Sequence, residues 1–253
     1  PYTTLFDLQL DEASNKIKGE EGTKTTIEIL RGEEFKTFEI ERRKILISHI
    51  TTKVLENNIG YIKISDFEGG CADEFREKYL KLEKQGINKL IIDIRDNGGG
   101  IVDEALEIAE MITEKGSTLL ITTDKNKQED VTKSNSTPII HMPIVLLTNE
   151  YSASASEILA AALKENEKAT LVGTKTYGKG VVQVPFELKS GNGGLKVTIS
   201  KYYTPSGENI NKVGINPDYE VELNEDELKE EYTKEKDSQI NKALEILDRK
   251  SVV

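Results

Sequence analysis

Three serines alternate with alanines in the stretch Ser152-Ala-Ser-Ala-Ser156, between Asn149 and Glu157, and a lysine flanked by glycines follows in Thr176-Tyr-Gly-Lys-Gly180. A hydroxyl placed where an apolar strand turns into a helix is suited to nucleophilic attack, provided a base takes its proton. The chain has two histidines, His49 and His141, and neither lies in this region. A lysine is then the natural base, since Ser-Lys pairs are a known variant of the triad logic. Ser154 lies at the start of the helix, where free N–H groups and the helix dipole favour developing negative charge. The same residue opens Ser154-x-x-Glu157, a capping box in which a serine simply ends a helix. On composition alone, Ser152 and Ser156 compete with it.

Lys179 lies 25 residues beyond Ser154. A lysine works as a base near neutral pH only when its surroundings bring its pKa down from about 10.4. Gly178 and Gly180 leave room for close backbone approach, and Val181 and Val182 are apolar neighbours. The competing reading is an exposed strand lysine. An extended run from Gly178 to Gln183 would put Lys179, Val181 and Gln183 on one face, although an edge-strand glutamine would look the same. A third segment, Arg95-Asp-Asn-Gly-Gly-Gly100, follows the most apolar strand and opens a helix, where backbone N–H groups can converge on an anion. A phosphate loop is the rival reading. However, no Gly-Lys-Ser/Thr follows, and the spacing Gly-x-Gly-x-x-Gly is absent. Arg95 and Asp96 read as a structural ion pair.

The elements that must hold these residues follow from periodicity. Leu10 to Ile17 reads as a short amphipathic helix, and Thr25–Arg31 with Phe35–Ile40 as a β-hairpin turning at Gly32. Strands are predicted at 59–64, 89–94, 119–122, 143–147 and 170–172. Helices are predicted at 72–85, 102–114 and 155–164. Alternation of this kind points to an α/β core with mainly parallel pairing. The charged stretch from Asn224 to Lys250 reads as helical, with Ile240, Ala243, Leu244 and Leu247 as a docking stripe.

The segments Ile91–Gly100, Ser152–Glu157, Thr176–Gly180 and Tyr203-Thr-Pro-Ser-Gly207 occur together and in order. In this the chain resembles the carboxyl-terminal processing (tail-specific) serine proteases, from about Leu10 to about Val221. The resemblance implies a crotonase/ClpP-like core of ββα units over 45–223. It implies the C-terminal part of a PDZ-like domain, a helix and hairpin, over 1–44, followed by a helical tail over 224–253. The second serine of the motif, Ser154, corresponds to the nucleophile and Lys179 to the general base. Gln183 is implied as the group that holds the lysine amine. The oxyanion hole is implied to pair the N–H of Ala155 with one from the glycine run, at Gly100 or Gly99. Gly98 departs from the family pattern, where many members carry proline. Thr204–Gly207 and Gly214–Asp218 are expected to be turns shaping the site wall. The resemblance further implies protein or peptide substrates cleaved near their C-termini, an extracytoplasmic location, and a homodimer or a regulatory protein as partners. The same fold also serves non-catalytic peptide- or ligand-binding proteins and crotonase-type acyl-CoA enzymes. The Ser-Lys pair favours the protease over both.

Composition sets the outer bounds. A length of 253 residues suffices for a substantial core. A net charge of −11 argues against nucleic-acid partners and against a polybasic membrane anchor. No apolar run approaches the ~18–20 residues of a membrane helix. The chain begins at Pro1 and reads as a trimmed piece, so a missing targeting segment carries no weight. Cys71 is the single cysteine, which excludes an intramolecular disulfide and a cysteine-based metal cluster. No His/Asp/Glu set has convincing ligand spacing, and no cofactor is implied. His49 and His141 are expected to be structural residues in apolar strand contexts.

Overall fold

A computed structural model describes residues 10–44, 48–188, 191, 193–223 and 237–249. The chain divides into two units, Pro1–Ile47 and Ser48–Val253. In the first, helix α1 (Leu10–Ile17) precedes strands β1 (Lys24–Arg31) and β2 (Glu34–Glu41), which pair antiparallel. Arg31 faces Glu34, leaving a two-residue loop whose first position, Gly32, has φ +66°. A positive φ there matches strand twist in a tight hairpin, and glycine adopts it without a Cβ clash. Arg42 ties the helix end to the hairpin, donating from Nε to the Ile17 carbonyl at 2.8 Å and from Nη1 to Thr23 Oγ1 at 3.0 Å.

The second unit is built on a six-stranded sheet in the order β12-β9-β8-β5-β4-β3. Its strands are β3 (Ile50–Leu55), β4 (Ile59–Ile64), β5 (Lys89–Asp93), β8 (Ile144–Thr148), β9 (Ala169–Gly173) and β12 (Tyr219–Glu220). All neighbours are parallel except β3, which runs antiparallel to β4. Helices α2 (Cys71–Lys84), α3 (Val102–Glu110) and α4 (Ala155–Glu165) connect the parallel strands. A second, antiparallel sheet has the order β10-β11-β6-β7, from β6 (Thr118–Asp124), β7 (Glu129–Lys133), β10 (Val181–Glu187) and β11 (Gly194–Tyr203).

Successive residues of a strand point to opposite faces, and both faces of the parallel sheet are buried. Ile62, Leu90, Ile92, Ile144 and Leu146 join one core with Phe75 of α2, Ile108 of α3 and Leu159 of α4. Tyr61, Ile91, Val145 and Leu147 join another with helix α5 (Ser238–Arg249), which contributes Ile240, Ala243, Ile246 and Leu247. Two-sided burial is why β5 and β8 read as unbroken apolar runs. The docking stripe is confirmed, with Ile246 added and Leu244 only partly buried. The remainder of the predicted tail helix, 224–236, lies outside the described residues.

Helix α5 is anchored electrostatically to the end of β5. Arg95 donates to Asp93 from Nε (2.9 Å) and Nη2 (2.6 Å), and from Nη1 to Asp237 (2.9 Å) and Gln239 (2.7 Å). Tyr61 Oη adds a 2.6 Å bond to Asp93, and Lys89 pairs with Asp248 at 3.1 Å. Burial opposes the Arg95 charge, but Asp93 and Asp237 outweigh it and raise its pKa. This corrects the Arg95–Asp96 pairing expected from sequence. Asp96 lies at φ +64° and instead accepts from Asn149 Nδ2 at 2.8 Å. Arg95→Met strands two buried carboxylates and is expected to lower unfolding stability by about 3–5 kcal/mol. An unfolding free energy from urea titration that moves by less than a quarter of that would contradict the account.

Other expectations are adjusted. Helix α3 stops at Glu110 rather than 114, because the Met111 carbonyl is taken by the N–H groups of Ile139 and Ile140. His49 is not in an apolar setting, since its Nδ1 lies 2.5 Å from Asp66 Oδ1. His141 is exposed in the loop before β8. Cys71 opens α2, a position that ordinarily favours a thiolate. Here burial, then Glu104, Asp66 and Glu74, push the thiol up to about 12. The thiol therefore stays protonated in the fold over a range where the unfolded chain, with the ordinary thiol value of 9.0, already ionises. Its contribution to stability is complete below pH 9 and falls away as pH rises from 9 towards 12. A disulfide reagent at pH 8 is expected to reach Cys71 only as fast as the chain opens; immediate labelling of the native chain would refute this.

Candidate active site

Two loops leave the carboxyl ends of the adjacent strands β5 and β8, where sites in parallel sheets form. They are stitched together by Asn97 and the serines. The Asn97 side chain donates to the Ile64 carbonyl (3.0 Å) and accepts from the Gly99 N–H (2.8 Å). Its own carbonyl accepts from the Ala153 N–H (3.0 Å) and from Ser156 Oγ (2.8 Å). Ser152 Oγ donates to the Ile94 carbonyl at 2.8 Å. Both rival serines are therefore buried ties between loops. Among the described residues, the Ser154 hydroxyl alone of the three donates to no backbone carbonyl. Ser154 is half-buried and sits at φ +59°, ψ −115°, immediately before α4. That conformation costs of order 1–3 kcal/mol for a non-glycine residue and persists only where the surroundings enforce it.

The enforcing group is Glu157, which sequence reasoning sees only as a helix cap. Its carboxylate is fully buried and accepts four hydrogen bonds. Oε2 takes the N–H of Ser154 (2.9 Å) and of Lys179 (2.8 Å). Oε1 takes Thr176 Oγ1 (2.6 Å) and the Gly178 N–H (2.7 Å). Because one oxygen receives both, the backbone nitrogens of Ser154 and Lys179 lie within about 6 Å of each other. The N-terminal end of α4 supplies favourable potential for the charge. The lysine loop is held from its other side too. Lys212 N–H donates to the Gly178 carbonyl (2.7 Å) and Ile215 N–H to Thr176 Oγ1 (2.8 Å). A side chain at Gly214 would meet the Thr176 carbonyl at 2.2 Å, so the Gly214 segment packs directly against the start of the lysine loop.

Lys179 is half-buried, and among the described residues no hydrogen bond joins its amine to Ser154 or to Gln183. Gln183 is exposed and its amide reaches Thr198 Oγ1 at 3.4 Å. The run expected to be extended from Gly178 begins only at Val181, because Gly178 turns at φ +90°. Strict alternation therefore does not carry from Lys179 to Gln183. In the glycine run, a Cβ on Gly99 (φ +103°) would meet Ser154 Cβ at 2.8 Å and Ala155 N at 3.1 Å. The Gly99 N–H is engaged by Asn97. The Ala155 N–H is the first of α4 and has no intrahelical acceptor. The Gly100 N–H likewise meets no acceptor among the described residues. Tyr202, on β11, completes the surroundings and is marked by nothing in the sequence beyond its place beside the Tyr203–Gly207 segment.

A strand-end serine at a helix start is thus clasped to a lysine loop and packed against a glycine run. The match to the Peptidase family S41 model covers residues 58–221, and the chain belongs to that family. It is 38% identical over 221 residues to the carboxyl-terminal-processing protease of Synechocystis sp., covering 85% of this chain and 51% of that protein. It is 37% identical over 216 residues to a probable CtpA-like serine protease of Staphylococcus aureus, covering 84% of this chain and 43% of the relative. The solved photosystem II D1 C-terminal processing protease superposes with TM-score 0.63 at 29% identity, over 81% of this chain and 57% of that one. A putative S41 protease from Bacteroides fragilis superposes with TM-score 0.69 at 19% identity, over 88% and 65%, a likeness of fold. The chain thus spans about half the length of the curated relatives it matches.

Proposed function

We propose that this chain is the catalytic part of a serine endopeptidase that cleaves protein substrates near their C-termini through an acyl-enzyme. Ser154 Oγ attacks the peptide carbonyl while its proton passes to the Lys179 amine, which then protonates the leaving amine. Water reverses the sequence and frees the new carboxyl end. The N–H groups of Gly100 and Ala155 receive the oxyanion, in preference to Gly99, whose N–H is occupied. Gln183 steadies the lysine amine once substrate closes the site. The first unit is read as the last helix and hairpin of a PDZ-like module, and the core as a ββα assembly of the crotonase/ClpP kind. The observation that carries this reading is the single Glu157 oxygen shared by Ser154 and Lys179, combined with the commitment of both rival serines to backbone carbonyls. Exposed Ile101, Tyr151 and Tyr177, chain neighbours of the site residues, offer apolar contacts to an unfolded substrate.

The test is incubation with an unfolded protein whose fragments are followed by mass. Early products truncated at the C-terminal end are expected. Random internal cleavage would remove the tail specificity. No cleavage, with the chain folded and Ser154 unreactive to acylating agents, would leave the fold as a binding protein.

A further inference from the structure

Tyr202 presents a polar atom that the proposed chemistry does not use. The residue is 1% exposed, and its hydroxyl makes no well-formed hydrogen bond among the described residues, although the Ser154 side chain lies close enough to act on it. A buried orphan of this kind calls for a physical explanation. Its backbone is fixed next to the lysine, because the Tyr202 N–H donates to the Gly180 carbonyl at 3.2 Å. The polar groups its hydroxyl faces are the Ser154 side chain and the Glu157 carboxylate. The carboxylate has no capacity left, since its two oxygens already take two donors each. Among the described residues, Ser154 Oγ is therefore the acceptor that remains for it on that side.

We propose that Tyr202 is a positioning residue for the nucleophile, donating its hydroxyl proton to Ser154 Oγ when the site is engaged. This rests on Ser154 being the nucleophile. Held from one side by Tyr202, Oγ keeps one lone pair for attack and its own proton for Lys179. Tyr202 adds nothing to the proton balance, because the seryl proton travels to Lys179 and then to the leaving amine. In the second half of the reaction Oγ is itself the leaving atom, and a neutral donor already on it favours departure. The hydroxyl is suited to this role, since burial and then the Glu157 charge hold its pKa above the ordinary tyrosine value despite the opposing contact with Ser154. It remains a donor throughout the working pH range.

Tyr202→Phe removes the hydroxyl and keeps the ring. The measurement is the rate at which a fluorophosphonate acylates Ser154, mapped by peptide mass, beside kcat and KM for a peptide substrate and the melting temperature. Acylation and kcat are both expected to fall about tenfold, the worth of one hydrogen bond. KM should stay within twofold, and the melting temperature should hold or rise because an orphaned polar atom is gone. Equal acylation rates in the two proteins would overturn the role of Tyr202 while leaving Ser154 as nucleophile. A fall in melting temperature with a matching rise in KM would reduce Tyr202 to a packing residue. No acylation of Ser154 in the unchanged chain would overturn the nucleophile assignment and this inference with it.

Discussion

Ser154→Ala and Lys179→Ala are each expected to cut peptide cleavage by at least about 10³-fold, and the double variant to lose no more than either single one. The reason is that nucleophile and base act as one device: removing either leaves the other without a reaction to take part in. What survives is whatever the oxyanion donors and substrate binding provide, and the glycine loop and α4 do not depend on either side chain. Lys179→Arg should be as inactive as Lys179→Ala, because a guanidinium keeps its proton and cannot serve as a base. Initial rates on a peptide substrate decide the matter. A double variant much worse than both singles would mean that the two residues act separately. Activity retained in Lys179→Arg would mean that a positive charge, rather than a base, is what the site needs.

Glu157→Gln is expected to damage stability and activity together, although it changes one atom. The carboxylate offers acceptors on both oxygens, and its four donors lie at 2.6–2.9 Å. An amide offers one oxygen, and its NH₂ must face at least one pair of donors. With Oε2 replaced, the Ser154 and Lys179 N–H groups confront another donor. With Oε1 replaced, the same fate meets Gly178 and Thr176. Hydrogen bonds to a charged group are worth about 1.5–3 kcal/mol each, and a buried unsatisfied donor costs about 1–3. A loss of about 3–5 kcal/mol in urea unfolding is the expected result. In activity, release of the Ser154 backbone from φ +59° should cost about 10²-fold, since misplacement by an ångström is enough. Thr176→Val, which removes one donor of the four, should show a smaller loss in both readouts. A Glu157→Gln chain with normal stability and activity would mean that the clasp is incidental.

The legible parts of this molecule are those in which one physical demand governs a whole segment. Strand β4 is read to the residue, and β5, β8, α2 and α4 to within one, because burial on both sheet faces or on one helix face writes a dense apolar pattern. Strands β3, β7 and most of β10 and β11 escape, since they are largely exposed and their composition follows no single rule. The same division runs through the site. Ser154, Lys179 and the glycine run are visible through motif and type. Glu157 is visible only in a lesser role, because three of its four ligands come from residues 19 to 22 positions away. Arg95 is assigned a neighbour in sequence when its real second partner, Asp237, lies 142 positions on. Tyr202 needs the return of β11 to the lysine loop, a pairing that local pattern does not encode.

The order in which a ribosome delivers these parts gives the Arg95 cluster a temporal meaning. Serine, lysine and glycine run are all synthesised well before Asp237 and Gln239 emerge. Until then Arg95 lacks two of its acceptors, and one face of the parallel sheet stands open to water. The strand end that leads directly into the glycine run is thus finished by a late-arriving helix. A nascent chain of this design holds Ser154, Lys179 and the glycine run in an unfinished frame until that helix closes the open face of the sheet.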